Sequence, residues 1–231
     1  MTRLGLWIAL LLLIGGWSWA EGRDELVRLA ESGNTDAQFK LGLDLADNAK
    51  TPEEFEKAVQ WWRKAAEAGH VRAQNNLGTS YAYGNGVDPD PAEAAKWWRK
   101  AAEQGNDKAQ ANLASLYNLG SGVPQDVAEA AKWYRCSARL GNVEGQYNYG
   151  FFLFYGDGVQ KDPVSALMWA LLARTGGHPN GEKACATFMA GLTSDQISQA
   201  EAAAQGWKPA TWEEVYSQEA QIASESSATP R

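Results

Sequence analysis

Apolar residues recur along this chain with two spacings, one nested inside the other. Within short segments they fall four residues apart, as in Ala73, Leu77 and Tyr81, which places them on one face of a helix. The segments themselves return every thirty-six residues: Trp61, Trp97, Trp133 and Trp169 stand in register, as do Gly33, Gly69, Gly105, Gly141 and Gly177. A period of that length means stacked units, none of which buries a hydrophobic face alone. The pattern predicts an all-α solenoid rather than one or two independent domains.

Each unit divides into two helices. The first is predicted at Ala37 to Leu45, Ala73 to Tyr81, Ala109 to Tyr117 and Gly145 to Leu153, around the pattern Ala-Gln-x-x-Leu-Gly-x-x-Tyr. Gly42, Gly78 and Gly150, with Ala114 in the third copy, leave out bulk where a partner helix must come close. The turns Gly84-Asn85-Gly86, Gly120-Ser121-Gly122 and Gly156-Asp157-Gly158 follow, with glycine where positive φ is needed. The first copy has Asp47-Asn48-Ala49-Lys50 instead. Thr51-Pro52, Asp90-Pro91, Asp126 and Asp162-Pro163 then cap the second helix, which runs past the register tryptophan to the register glycine.

These boundaries give a capping half-repeat at 21–33, repeats at 34–69 (divergent), 70–105, 106–141 and 142–177, and capping helices at 178–220. Within the last segment, Gly181 to Ala190 pairs with Thr193 to Gln205. A final helix from Thr211 to about Ala220 is expected to cover the open end of the stack with its aromatics. Residues 221–231, rich in Ser, Ala, Thr and Pro, are expected to be a disordered tail.

Residues 1–20 differ in kind. Arg3, the charge-free run Leu4 to Ile14, and Ser18-Trp19-Ala20 read as a signal peptide cleaved after Ala20, although including Gly15 to Ala20 leaves room for an uncleaved anchor. The mature chain is thus expected in the periplasm or outside the cell, with no stable membrane span. A net charge of −7 argues against nucleic acid as a partner. Cys136 and Cys185 fall at different register positions more than one repeat apart, which favours two buried thiols over a bridge.

Enzyme chemistry finds few convergent groups. His70 and His178 stand immediately after register glycines, where other copies have Asn34, Asn106 and Asn142, so they read as turn residues. No Cys-x-x-Cys spacing suggests a metal, no phosphate-cradling loop suggests a cofactor, and the acids cluster at helix starts. The tandem aromatics Trp61-Trp62, Trp97-Trp98 and Trp133-Tyr134 have two readings, a sugar-stacking ladder or the core between neighbouring units, and repetition at one register favours the core.

Taken together, Ala-x-x-x-Leu-Gly-x-x-Tyr, Gly-x-Gly-Val and Trp-Trp/Tyr-x-Lys-Ala-Ala-Glu-x-Gly resemble the Sel-1-like repeat, a relative of the tetratricopeptide repeat, over roughly residues 24–190. The resemblance implies an α/α superhelical solenoid of antiparallel helix pairs that serves as a protein–protein adaptor, and tasks such as regulating an envelope signalling or secretion complex. In tetratricopeptide-like folds the first helix lines the concave face. Two polar columns lie there: Gln38, Gln74, Gln110 and Gln146, read as braces between turns, and Lys40, Asn76, Asn112 and Asn148. The asparagines, with Ser80, Ser115 and Phe152, form a candidate groove for an extended peptide, because each amide both donates and accepts. The rivals are a secreted β-lactamase-like or penicillin-binding repeat enzyme, whose relatives carry a Cys pair in each repeat, and a glycan-binding envelope protein. Partner identity and oligomeric state are not encoded in any of these columns.

Overall fold

The computed structural model describes residues 19–228, and the regular structure among them is entirely helical. The expected leader falls almost wholly outside the described residues. Among those described, no helix is long and apolar enough to cross a membrane. The chain divides into two compact units, Met1–Asp90 and Pro91–Arg231.

Unit 1 contains α1 (Trp19–Glu31), α2 (Thr35–Asn48), α3 (Pro52–Glu67) and α4 (Val71–Tyr83), each packed on the next. Three-residue turns between helices force neighbours to run antiparallel. Ala30, Ala37 and Leu41 form a buried cluster lined by Leu26, Val27, Leu29, Leu45 and Trp61, so α1 packs its apolar side on α2. Gly42 lets α3 come close to α2, since a methyl group there would lie 2.4 Å from Cδ1 of Trp62.

Unit 2 contains α5 (Pro91–Ala102), α6 (Asp107–Leu119), α7 (Val127–Arg139), α8 (Val143–Tyr155), α9 (Pro163–Thr175), α10 (Gly181–Met189), α11 (Ser194–Gly206) and α12 (Trp212–Ala228). Successive helices from α5 to α10 pack in pairs; α6 also touches α8, and α8 touches α10, so the first helices form a layer of their own. Trp97, Trp133 and Trp169 are buried, as are Trp98 and Tyr134, which places these aromatics of unit 2 in the core, whereas Trp61 of unit 1 is half-buried.

Local sequence explains where the helices start and stop. Asn34, Asn106 and Asn142 accept from the N–H groups of Ala37, Ala109 and Gly145, and His70 does the same for Ala73 through Nδ1. Thr51, Asp126 and Asp162 cap the second helices through Glu54, Glu129 and Ser165. The first helices α4, α6 and α8 end on left-handed Gly84, Gly120 and Gly156.

The C-terminal segment departs from expectation. Trp207 and Trp212 do not simply close the end of the array. Trp207 meets Trp169 edge-on at 5.8 Å, Pro209 lies over Gly141, and Trp212 fills the space left by Gly105, so the chain doubles back along unit 2. The missing side chains at Gly105 and Gly141 are the slots that accept it. Helix α12 then continues to Ala228 instead of ending near Ala220, through residues such as Gln221 that suit a helix without requiring burial.

Candidate functional site

The polar columns of the first helices separate by burial. Gln38, Gln74, Gln110 and Gln146 are buried, and the Nε2 of each donates to the carbonyl eight residues earlier, on Ala30, Ala66, Ala102 and Ala138. They hold the last turn of one helix against the first turn of the next, which is the bracing role read from the sequence.

The column two residues later is different. Lys40 is exposed, and Asn76, Asn112 and Asn148 are half-buried. Nδ2 of Asn148 donates back to the Glu144 carbonyl at 2.9 Å and to its carboxylate at 2.8 Å. Ser80 and Phe152 do not belong with them. Both stand four residues after the Asn position and turn inward, at 1% and 7% exposure, so they cannot line an open groove. Phe152 packs on Tyr134 with ring centroids 5.3 Å apart. Ser115, half-buried, hydrogen-bonds the same tyrosine, whose hydroxyl is pushed up to about 12 chiefly by burial. Ser115 therefore serves the core as well as the surface.

In each unit the first helices also leave large apolar residues exposed. Tyr83, Leu119 and Tyr155 are 71%, 69% and 59% exposed, large apolar residues left in water at the last position of α4, α6 and α8. Each lies seven residues after its asparagine, hence on the same side of the helix. The sequence signal was available: an apolar residue stands directly before the C-terminal glycine in three copies, where the first copy has Asp47.

The histidines and cysteines make their contacts within the fold. His178 stacks on Tyr147 at 3.9 Å and lies 3.2 Å from Glu144, and His70 stacks on Phe39 and reaches Asp36. Among the described residues no group of three or more His, Cys, Asp or Glu side chains is placed to hold a metal. Cys136 and Cys185 are free and buried. Burial pushes the Cys136 thiol up to about 12, so little thiolate forms at neutral pH. Alkylation of Cys136 by iodoacetamide, followed by mass spectrometry, is expected to run about a hundredfold slower in the folded chain than in denaturant.

A fold of repeated antiparallel helix pairs with an open polar and apolar face defines a repeat scaffold. The Sel1 repeat family model matches residues 35–70, 71–106, 107–142 and 143–178, and the chain belongs to that family. The crystal structure of a Sel1 repeat protein from Oxalobacter formigenes is similar, with a TM-score of 0.68 and 30% identity over 82% of this chain and 81% of that one. So is a protective antigen present in uropathogenic Escherichia coli strains and displaying an SLR fold, with a TM-score of 0.56 and 29% identity over 93% of this chain. This chain spans 52% of that antigen. No curated protein matches the sequence. Sel1 repeats typically serve protein–protein interaction.

Proposed function

We propose that this chain is an exported, non-catalytic adaptor that holds an extended segment of a partner protein on the open faces of its first helices. The leader-like residues 1–20 support export, and a place in an envelope signalling or secretion complex accords with it. The observation that carries the binding reading is the pairing, on one helix face, of a half-buried asparagine with a large exposed apolar residue. In unit 2 the pairs are Asn112 with Leu119 on α6 and Asn148 with Tyr155 on the adjacent α8. Asn76 and Tyr83 repeat the pair on α4, and Lys40 holds the register on α2. Amides would engage the peptide backbone of the partner while the apolar residues take its side chains, so that main-chain hydrogen bonds give affinity and side-chain contacts give specificity. Exposed apolar residues aligned in this way mark an interaction surface more strongly than scattered ones.

Crosslinking in cells followed by mass spectrometry would identify the partner. With that partner in hand, Asn112→Ala combined with Asn148→Ala is expected to weaken binding roughly tenfold, two modest hydrogen bonds' worth, with an unchanged circular-dichroism melt. Unaltered affinity in a folded double variant would sink the proposal.

A further inference from the structure

Helix α12 is held by three anchors on one of its faces. Trp212 lies on Gly105, where an added methyl group would come within 2.6 Å of its ring. Val215 is completely buried. Glu219 accepts from Nε and Nη2 of Arg135 at 3.0 and 2.6 Å, a two-pronged pair with both side chains mostly out of water. These residues stand at i, i+3 and i+7, so a single helix face carries an aromatic, an aliphatic and a carboxylate. Upstream, the N–H of Ala210 donates to the Arg139 carbonyl at the end of α7.

The repeat pattern explains why the anchor falls at Arg135. Arg63 and Arg99 occupy the same register, and each donates to a tyrosine hydroxyl eighteen residues on, Tyr81 and Tyr117. In the next copy that tyrosine is Leu153, which offers no oxygen. Arg135 turns instead to the Tyr149 hydroxyl and to Glu219. Charge complements shape: α7 carries Lys132, Arg135 and Arg139 against a single acid, Glu129, which pairs with Lys132, whereas residues 212–222 carry Glu213, Glu214 and Glu219 and no Lys or Arg.

The attachment is also light. The backbone of α12 approaches no other helix as extensively as the paired helices approach each other, and its outer face leaves Tyr216 and Ile222 exposed. An element held mainly by side chains opens at less cost than one packed along its length.

We propose that α12 is a displaceable ligand carried by the chain itself, and that the surface it covers on unit 2, from Gly105 to Arg135, is a docking site for an acidic helix of a partner protein. That helix presents an aromatic, an aliphatic and a carboxylate residue at the spacing of Trp212, Val215 and Glu219. Tethering gives α12 a high effective concentration, so the partner docks only by outcompeting it or when α12 is released. This surface is distinct from the open faces of the first helices.

The test uses a fluorescently labelled synthetic peptide of residues 207–222 and the full chain. Glu219→Arg is expected to free the site, so that the peptide binds this variant about tenfold or more tightly than it binds the unaltered chain. Adding Arg135→Glu is expected to return binding to the unaltered level. Equal affinity for the two chains, or binding that survives Arg135→Glu, overturns the proposal. Hydrogen exchange on the unaltered chain provides a check that needs no variant: α12 amides are expected to exchange about tenfold or more faster than those of α7. Equal protection would make α12 a fixed part of the fold and overturn the proposal. A dimer that exchanges α12 between copies, seen by light scattering, would replace the partner with a second copy and overturn it too. None of these readings depends on the partner of the first-helix faces.

Discussion

Gly122→Ala is expected to destabilise unit 2 by about 2–6 kcal/mol, read as a lower urea midpoint at an unchanged m-value. Two costs combine. The residue sits at φ +71°, where a side chain costs roughly 1–3 kcal/mol of strain. The new Cβ would also lie 2.3 Å from the carbonyl carbon of Pro91 and 2.5 Å from the nitrogen of Ala92. Both are backbone atoms of the first turn of α5, so relief requires the helix start to move, at a further 1–3 kcal/mol or so. Gly177→Ala separates the two, because Gly177 has φ +85° and nothing within 4 Å of an added Cβ. It is expected to show the strain cost alone. Equal losses in the two variants would mean that contact with α5 contributes nothing.

A second large effect is a coupling. At the register of Ala65, Ala101 and Ala173 the chain has Ser137, and at the register of Ala37, Ala73 and Ala109 it has Gly145. These two departures from the repeat face each other: a methyl group on Gly145 would lie 2.4 Å from Oγ and 2.7 Å from Cβ of Ser137. Oγ of Ser137 is held by its bond to the Asp107 carbonyl at 2.7 Å and cannot swing clear without losing it. Gly145→Ala alone should therefore lose stability by about 1–2 kcal/mol, overpacking exceeding the gain in helix propensity of about 1 kcal/mol. Ser137→Ala alone should lose about 1 kcal/mol with its hydrogen bond. Removing Oγ relieves only part of the clash, since the new methyl group would still lie 2.7 Å from Cβ of residue 137 and 2.8 Å from the Ala138 nitrogen, so the double variant is expected to recover about 1 kcal/mol of the summed losses, a coupling of that size. Additive losses in thermal or urea unfolding would rule out the compensation.

Much of the architecture lay open in the sequence because it rests on short-range chemistry. Caps such as Asp126 over Glu129, turns such as Gly120 to Gly122, and the Gln braces all act within eight residues and repeat at a fixed period. The open face was only partly legible. On a helix, positions three and four residues after an asparagine diverge to opposite sides of it, and only packing decides which side meets a neighbour. Here the fourth turns in, burying Ser80 and Phe152, while the seventh, Tyr83, Leu119 and Tyr155, remains out. The course of α12 was less legible still. Its anchor joins Arg135 to Glu219 across eighty-four residues, and the slot for Trp212 is an absent side chain at Gly105. Gly105 and Arg135 both hold register positions, but their partners Trp212 and Glu219 lie in the C-terminal segment where the period has ended.

The seat of Gly122 on Pro91 and Ala92 has counterparts. Gly158 rests on Val127 and Ala128 of α7, and Gly86 rests on Phe55 and Glu56 of α3. In each case the loop belongs to the later copy and its support to the earlier one, so the array has a direction. A chain made from its N-terminus always has the landing in place before the loop that needs it emerges. Trimming copies from the C-terminal side removes loops together with the residues above them, whereas trimming from the N-terminal side leaves a glycine loop overhanging water. Tolerance to deletion is thus built unequally into the two ends.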